Sequence, residues 1–304
     1  MKLAITGPGG FIARHVAIAA RLAGHELLLW QGRGRASGNG REGHLELDFE
    51  SPAARWHLEG VDALIHLAGR YPRFGEDALS AAELMRCNVE PTAAVLESCA
   101  AAGVPRFVLA SSAAVYRQSR SGPLPETAAV DARGAYADSK LRAEALVRAS
   151  TDAGRLHGVS LRLFNVYGPG QPDCNVFSAI AVQALADGPV RVHDERPVRD
   201  FIHVADAARA LVAAATGAST ADATINIGSG RGTSVRELGA LIMRAAGRSD
   251  LLQAIARGDA AGDAVVANIA RARRALRWQP VIGLPQGVAD TLATLRASNI
   301  ARAS

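Results

Sequence analysis

A tyrosine and a lysine stand four residues apart in the stretch Tyr136-Ala137-Asp138-Ser139-Lys140. If this stretch opens a helix, both side chains lie on one face, one turn apart. A nearby positive charge favours a phenolate, so Lys140 is predicted to lower the pKa of Tyr136. Tyr136 is then a candidate general acid or base, and Ser112 offers a second hydroxyl to the same substrate oxygen. The alternative is a solvated tyrosine and lysine on a helix surface, because this spacing alone is common.

The elements that would position these groups alternate between short apolar runs and helical stretches. Strands are predicted over 27–30, 45–48, 61–69 (ending in a small-residue loop) and 106–112, with helices between them. Such alternation implies an α/β fold with a doubly wound parallel sheet of the Rossmann type. The last of these strands ends in Ser111-Ser112, at the carboxyl edge where ligands sit in open α/β sheets.

A glycine-rich turn follows the first predicted strand. Lys2–Thr6 runs into Gly7-Pro8-Gly9-Gly10, and a helix is predicted from there to about Ala23. Strand, glycine turn and helix form the context of a dinucleotide fingerprint. Gly7 permits the tight turn, and Gly10 lets the backbone approach a pyrophosphate that the helix N-terminus stabilises. The alternative is a tight turn in an ordinary α/β protein.

The end of the second strand bears on the choice between NAD and NADP. An NAD site usually carries an acid there for the ribose 2′-hydroxyl, but the chain continues Gln31-Gly32-Arg33-Gly34-Arg35. Two guanidinium groups suit a 2′-phosphate, which favours NADP, unless both arginines are solvated loop residues. Asp48, at the end of the third strand, is placed to accept a hydrogen bond from an adenine amino group.

Composition excludes several classes of function. The 304 residues carry 34 basic and 29 acidic side chains, a net charge of +5, with no basic block that interleaves aromatic residues. We therefore expect no nucleic-acid partner. No apolar run is long enough to span a bilayer and no signal peptide is evident, so we expect a cytoplasmic protein without a membrane partner. Three cysteines are too few and too scattered for a disulfide framework or a metal site.

Taken together, the motifs resemble those of the extended short-chain dehydrogenase/reductase family, in its nucleotide-sugar epimerase/dehydratase branch. Eight motifs follow in the family's order and approximate spacing, and they span nearly the whole chain. They are Thr6-Gly7-Pro8-Gly9-Gly10-Phe11-Ile12, His66-Leu67-Ala68, Asn88-Val89, Ser111-Ser112-Ala113-Ala114-Val115-Tyr116, Tyr136-Ala137-Asp138-Ser139-Lys140, Leu163-Phe164-Asn165-Val166-Tyr167-Gly168-Pro169-Gly170, Arg199-Asp200-Phe201-Ile202-His203-Val204 and Asn226-Ile227-Gly228-Ser229-Gly230.

The resemblance implies a role for each matched residue. Ser112 holds the substrate hydroxyl or carbonyl, Tyr136 is the acid/base, and Lys140 binds the nicotinamide ribose and lowers the pKa of Tyr136. The residues implied to bind NAD or NADP are Gly7, Gly9, Gly10, Phe11, Ile12, Arg33, Asp48, Leu67, Ala68, Asn88, Tyr136 and Lys140. Those implied to bind a nucleotide-diphosphate sugar are Ser112, Asn165, Asn175, Arg199 and Arg257. His66 is interpreted as structural.

The chain also departs from subfamily patterns. Ala113 and Ala114 stand where 4,6-dehydratases carry an Asp-Glu pair, which argues against that activity. The segment 193–198 is more charged than usual, which suggests an altered choice of substrate. Cys174 falls in the segment implied to line the sugar pocket. It is a candidate second acid/base, although an inert thiol is the favoured interpretation.

We therefore expect hydride transfer at sugar C4, with a 4-epimerase narrowly ahead of an NADPH-dependent 4-ketoreductase. A non-catalytic dinucleotide sensor on the same fold is the alternative from another class. Residues 1–166 are expected to form the dinucleotide-binding domain, with a return segment near 199–228. Residues 167–304 are expected to form a smaller α-rich substrate lobe. The resemblance also implies a homodimer, paired through the helix that carries Tyr136 and Lys140.

Overall fold

The computed structural model of the chain describes residues 1–32, 44–46, 48–49, 51, 53–72, 79–117, 122–173, 175–217, 224–249, 252–255 and 264–303. The strands are β1 Lys2–Thr6, β2 Glu26–Gln31, β3 His44–Glu46, β4 Ala63–His66, β5 Arg106–Ser112, β6 His157–Leu163, β7 Asn165–Tyr167, β8 Arg191–Val192, β9 Val198–His203, β10 Thr224–Ile227, β11 Gly232–Ser234, β12 Gln253–Ala254 and β13 Ala264–Val265. The helices are α1 Phe11–Leu22, α2 Ala54–His57, α3 Ala81–Leu84, α4 Glu90–Ala102, α5 Ala135–Asp152, α6 Val176–Leu185, α7 Val204–Thr216, α8 Val235–Ala245, α9 Ala270–Ala275 and α10 Leu284–Ala303. A π-helical turn spans Met85–Val89 and a 3-10 turn spans Ala113–Val115.

Seven parallel strands form the main sheet in the order β10-β6-β5-β4-β1-β2-β3. Successive side chains of a strand face opposite sides of a sheet. In β1, Leu3 and Ile5 pack into a core with α1 and α7, whereas Ala4 faces a second core with α2, α4 and α5. Because both faces are covered, the strands are continuously apolar. The predicted doubly wound parallel α/β fold is confirmed.

The later part of the chain builds a smaller layer beside the main sheet. Strands β7, β9, β11 and β13 form a second sheet, β8 pairs with β12, and helices α6, α8 and α10 enclose a third core. The chain returns to the main sheet through α7, which packs on α1, and through β10, which pairs with β6. The return segment predicted near 199–228 is therefore divided between the two sheets. Its first strand, β9, belongs to the smaller sheet, and its last strand, β10, belongs to the main sheet.

One predicted helix is interrupted in the structure. The sequence predicts a single helix over 83–102, but a π-helical turn lies between α3 and α4 and contains Asn88, which is 2% exposed. Single π-turns inside helices are frequent at functional sites. The sequence also predicts helices over 177–186, 204–215, 235–246 and 284–295; the first three agree with α6, α7 and α8 to within one residue, whereas α10 continues to Ala303. No helix in the described part of the chain is both long and apolar enough to cross a membrane.

Candidate active site

Helix α5 brings Tyr136 and Lys140 to the carboxyl edge of the main sheet. The helix begins at Ala135, directly after Gly134 at φ +91°, so both residues lie in its first two turns on one face. Both side chains are half-buried. The Lys140 Nζ donates a hydrogen bond to the Ala110 carbonyl oxygen at 3.0 Å and lies 5.9 Å from the centre of the Tyr136 ring.

Strand β5 delivers a second hydroxyl to the same place. Ser112 ends β5 and is half-buried, and its Oγ accepts a hydrogen bond from the Ala114 N–H at 3.2 Å. The same hydroxyl faces the phenol of Tyr136, whose pKa it lowers as a hydrogen-bond donor. The structure thus brings together the three side chains that the sequence singles out, Ser112, Tyr136 and Lys140, from one strand and one helix.

The protonation of this group differs from the sequence-based expectation. Burial raises the pKa of Tyr136, and the hydrogen bond from Ser112 opposes that rise only in part. The prediction that Lys140 lowers the pKa of Tyr136 is therefore wrong for the protein on its own. The physical reason is that burial has the largest effect on this pKa, and the group that opposes it is Ser112. Burial also lowers the pKa of Lys140 to about 8, while the charge of Glu144 opposes that change. At neutral pH the pair is a neutral phenol beside a cation.

Lysine is rare in this chain, which makes its use at position 140 informative. Lysine and arginine together number 34, yet Lys2 and Lys140 are the two lysines. An ammonium group is a compact charge whose pKa shifts readily on burial, whereas a guanidinium group stays charged. The identity of Lys140 is therefore a chemical choice at a position where composition favours arginine.

The glycine turn after β1 has the geometry of an anion cradle. Gly7 has a φ of +66°, and a Cβ there would lie 2.9 Å from the Cα of Ala68. A Cβ on Gly9 would meet nothing within 4 Å, so open space lies above the turn. Gly10 precedes α1, whose first turn has neither a capping side chain nor an acidic residue. The free N–H groups and the helix dipole therefore fit a pyrophosphate of NAD or NADP.

Thr6 joins the glycine turn to the loop after β4. Its Oγ1 accepts hydrogen bonds from the N–H groups of Leu67 and Ala68, both at 3.1 Å, and lies 2.8 Å from Nδ1 of His66. Burial, with a smaller contribution from the charge of Lys140, lowers the pKa of His66 to about 3. His66 is therefore a neutral member of the scaffold, in agreement with its structural interpretation. Leu67 and Ala68 are half-buried and follow the end of β4, beside Gly7.

Asn88 ties the same loop to the helix of the candidate site. Its Oδ1 accepts a hydrogen bond from the Arg70 N–H at 2.7 Å. Its Nδ2 donates to the Arg70 carbonyl at 3.1 Å and to Ser139 Oγ at 3.0 Å, and Ser139 in turn donates to the Tyr136 carbonyl at 2.8 Å. Both amide N–H groups of Asn88 are therefore committed to the protein. Its side chain therefore holds the loop after β4 in place, and neither N–H group is left to point towards a ligand.

The remaining cofactor candidates occupy several places. Phe11 and Ile12 open α1 and are half-buried, with the Phe11 ring edge-on to His15 at 5.7 Å. Asp48 lies just beyond β3 and is exposed. Arg33 lies outside the described residues.

Three of the substrate candidates lie on the smaller layer. Asn165, on β7, donates from Nδ2 to the Asp200 carbonyl at 3.2 Å, and Arg199 on the neighbouring β9 is half-buried. Asn175 is engaged as the N-cap of α6, where its Oδ1 accepts the Ser178 N–H at 3.0 Å. Arg257 and Cys174 lie outside the described residues. No group of three potential metal ligands occurs in the part of the chain that the structure describes.

Sequence reasoning missed a buried ion pair directly behind the site. Glu144, on α5, binds Arg162 of β6 and the hydroxyl of Ser111. A signal was available, because Glu144 follows Lys140 by four residues and so continues the same helix face. A glutamate on the buried face of a helix requires a partner, and Arg162 is the cation on a neighbouring apolar strand.

Comparison with known proteins agrees with the fold and the motifs. The sequence pattern of the NAD dependent epimerase/dehydratase family matches residues 3–228. A UDP-glucose 4-epimerase of Streptomyces lividans is 29% identical over 92% of this chain and 91% of its own length. The solved structure of MoeE5 in complex with UDP-glucuronic acid and NAD has a TM-score of 0.85 and 29% identity, over 98% of this chain and all of that one.

The similar structures also include a different activity. TunA, an NAD dependent NDP-hexosamine 5,6-dehydratase involved in tunicamycin biosynthesis, has a TM-score of 0.82 and 25% identity over 97% of this chain and 98% of its own. The fold and family thus accommodate both epimerases and dehydratases, and the side chains of the site must distinguish them.

Proposed function

Because this chain belongs to the NAD dependent epimerase/dehydratase family, we propose that it is an NAD(P)-dependent nucleotide-sugar epimerase that acts at sugar C4. The observation that carries the proposal is the meeting of Ser112, Tyr136 and Lys140 at the sheet edge, beside a glycine turn shaped for a pyrophosphate. The similarity to a UDP-glucose 4-epimerase and to MoeE5 bound to UDP-glucuronic acid favours a UDP-sugar.

Each side chain of the site has a role in this reaction. Tyr136 first gives up its phenolic proton; as a phenolate it accepts the proton of the C4 hydroxyl during oxidation and returns it during reduction, while the Ser112 hydroxyl donates to the same sugar oxygen. Lys140 supplies the positive charge that holds the ribose hydroxyls and stabilises the phenolate as it forms. The bound dinucleotide supplies the acceptor and later the donor of the hydride. Asn165 and Arg199 lie on the smaller layer, where they would bind the substrate diphosphate.

The residues after Ser112 favour epimerisation over elimination of water. Ala113 is buried and Ala114 is exposed, and neither side chain can transfer a proton. Dehydration needs an acid and a base near the carbons that lose water, in addition to the hydride chemistry. With alanine at both positions, the cleft offers Tyr136 and Ser112 for a reaction confined to C4.

The test begins with the purified, untreated protein, which is denatured so that any released dinucleotide can be identified. Stoichiometric NAD, together with interconversion of UDP-glucose and UDP-galactose or of the matching uronic acids, would support an epimerase. An empty site that prefers NADPH over NADH, together with reduction of a nucleotide-4-keto sugar, would overturn the epimerase proposal. The protein would then be a ketoreductase. Tyr136→Phe is the matched variant, since it removes one oxygen atom and should abolish turnover while dinucleotide binding persists.

We further propose a homodimer, as the resemblance implies, in which α5 and its neighbour α4 pack against their copies. The outward side of α5 carries Ala145 and Ala149 between Arg142 and Arg148, all exposed. Small residues allow close approach of two helices. Sedimentation velocity tests the proposal, and a monomer across the accessible concentrations would refute it.

A further inference from the structure

A buried ion pair connects three elements directly behind Ser112, Tyr136 and Lys140. Glu144, on α5, is 3% exposed and Arg162, on β6, is 4% exposed. The guanidinium binds the carboxylate in a bidentate manner, with Nε at 2.9 Å from Oε1 and Nη2 at 2.7 Å from Oε2. Ser111, on β5, donates its hydroxyl to Oε1 at 2.5 Å. One carboxylate therefore joins α5 to the strands β5 and β6.

Stability alone gives a weak reason to retain such a pair. Removing two charges from water is costly, and well-packed apolar residues of similar volume often serve a core as well or better. The arrangement here is complete, since the guanidinium is bidentate and a hydroxyl satisfies the carboxylate further. The effect of the pair on its neighbours offers a second reason to retain it.

Glu144 is linked both to the strand that carries Ser112 and to the helix that carries Tyr136 and Lys140. Ser111 immediately precedes Ser112, so the bond from Ser111 to Glu144 fixes the end of β5 against α5. Glu144 also lies one helical turn beyond Lys140 on the same face. Together with the bond from Lys140 to the Ala110 carbonyl, Glu144 thus holds the strand that carries Ser112 against the helix that carries Tyr136.

Charge is the second link between Glu144 and Lys140. Burial lowers the pKa of Lys140 to about 8, and the negative charge of Glu144 opposes that effect. The other titratable groups that face the ammonium are neutral at pH 7, because burial raises the pKa of Tyr136 and lowers that of His66 to about 3. Among the described residues around Lys140, Glu144 supplies the negative charge.

We propose that Glu144, held by Arg162 and Ser111, is a positioning residue that keeps Lys140 protonated and sets the spacing of the catalytic hydroxyls. The proposal rests on the proposed function, in which a cationic Lys140 is needed for the hydride chemistry. It assigns to the buried pair a role in catalysis that acts through Lys140 and not through contact with the substrate.

The scarcity of lysine allows a direct test that needs no turnover. With isotope-labelled lysine, the NMR signals of Lys2 and Lys140 can be followed against pH in the full-length protein. In Glu144→Gln we expect the pKa of Lys140 to fall by about one unit, since one nearby opposite charge is lost. Lys2 should titrate as in the wild type. A Lys140 pKa that is the same in both proteins would overturn the proposal, whatever reaction the protein catalyses.

Two further variants separate charge from folding. Glu144→Gln combined with Arg162→Met removes both charges, so it avoids an unpaired buried guanidinium and should fold. Its Lys140 pKa should also fall, but by less than in the single variant, because the loss of the Arg162 charge acts in the opposite direction. Asp206→Asn is the matched control, because Asp206 is also fully buried and accepts N–H bonds from Val281 and Ile282. It should lower the melting temperature without moving the pKa of Lys140, and a shift as large as that in Glu144→Gln would overturn the proposal.

The pH dependence of turnover then connects the charge to catalysis. If the protein is an active epimerase, the alkaline limb of kcat should move to lower pH in the double variant by the amount that NMR records for Lys140. An alkaline limb that stays in place while the pKa of Lys140 falls would overturn the catalytic role. A protein with no turnover on any nucleotide sugar would refute the proposed function instead, and the NMR titration would still decide the electrostatic one.

Discussion

We expect Asn88→Ala to destabilise the protein by about 2–4 kcal/mol and to weaken dinucleotide binding. Asn88 is 2% exposed and makes hydrogen bonds of 2.7, 3.1 and 3.0 Å, two to the backbone of Arg70 and one to Ser139. A buried polar group left without its partner costs about 1–3 kcal/mol. Arg70 is half-buried, so water replaces part of its lost bonds, and Ser139 keeps the Tyr136 carbonyl as acceptor. The loss in the free energy of unfolding is therefore well below the cost of three fully unpaired buried groups.

The assay combines denaturant unfolding, which gives the free energy of unfolding, with calorimetric titration of the dinucleotide. Thr92→Val is the matched control, because Thr92 is fully buried and donates to the carbonyl of Asn88 at 2.6 Å without reaching the loop. Thr92→Val should lower the free energy of unfolding by about 1 kcal/mol and leave dinucleotide binding unchanged. The reasoning fails if Asn88→Ala is no less stable than Thr92→Val, or if it binds the dinucleotide as tightly as the wild type does.

Three further predictions address the cradle, the buried histidine and the lysine. Gly9→Ala should keep the wild-type melting temperature but bind the dinucleotide at least about ten-fold more weakly, because its methyl group enters only the open space. Gly7→Ala, at φ +66°, should instead lose about 1–2 kcal/mol of stability in the same measurements. The pKa of His66 is about 3 in the folded protein against an ordinary value of 6.5, so the folded state loses stability as pH falls below 6.5, by about 2 kcal/mol at pH 5. His66→Leu should remove this loss in denaturant unfolding, whereas His157→Leu, at an exposed histidine, should not. Lys140→Arg should reduce kcat at least about 100-fold while the protein stays folded, and near-normal turnover would show that any cation suffices.

The parts of the fold that could be predicted from sequence depend on local requirements. Gly7 has a positive φ whatever lies far away in the chain, and the strand before it and helix after it follow from their apolar periods. The spacing of Tyr136 and Lys140 likewise places them on one helix face without knowledge of the rest. The return of β10 to the main sheet came from the resemblance, because no local pattern specifies a strand's neighbour.

The parts that could not be predicted depend on contacts between distant residues. Asn88 binds Ser139, 51 positions away, and Ser111 binds Glu144, 33 positions away. The error over the pKa of Tyr136 has the same origin. The sequence identifies one charged neighbour four residues away, but burial is produced by elements from the whole chain, and here burial has the larger effect.

Lysine at position 140 shows how a composition bias can point to chemistry. Most cationic positions of this chain carry arginine, so lysine at a buried-facing position is informative in a way that it would not be in a lysine-rich protein. The site explains the choice. The Lys140 Nζ reaches the Ala110 carbonyl at 3.0 Å, a contact that a compact ammonium group on a flexible stem can make. An ammonium there has a pKa of about 8, close enough to neutrality that one carboxylate, Glu144, determines how much of it is charged. The same property that makes lysine suitable for the site therefore makes the site depend on the buried pair behind it.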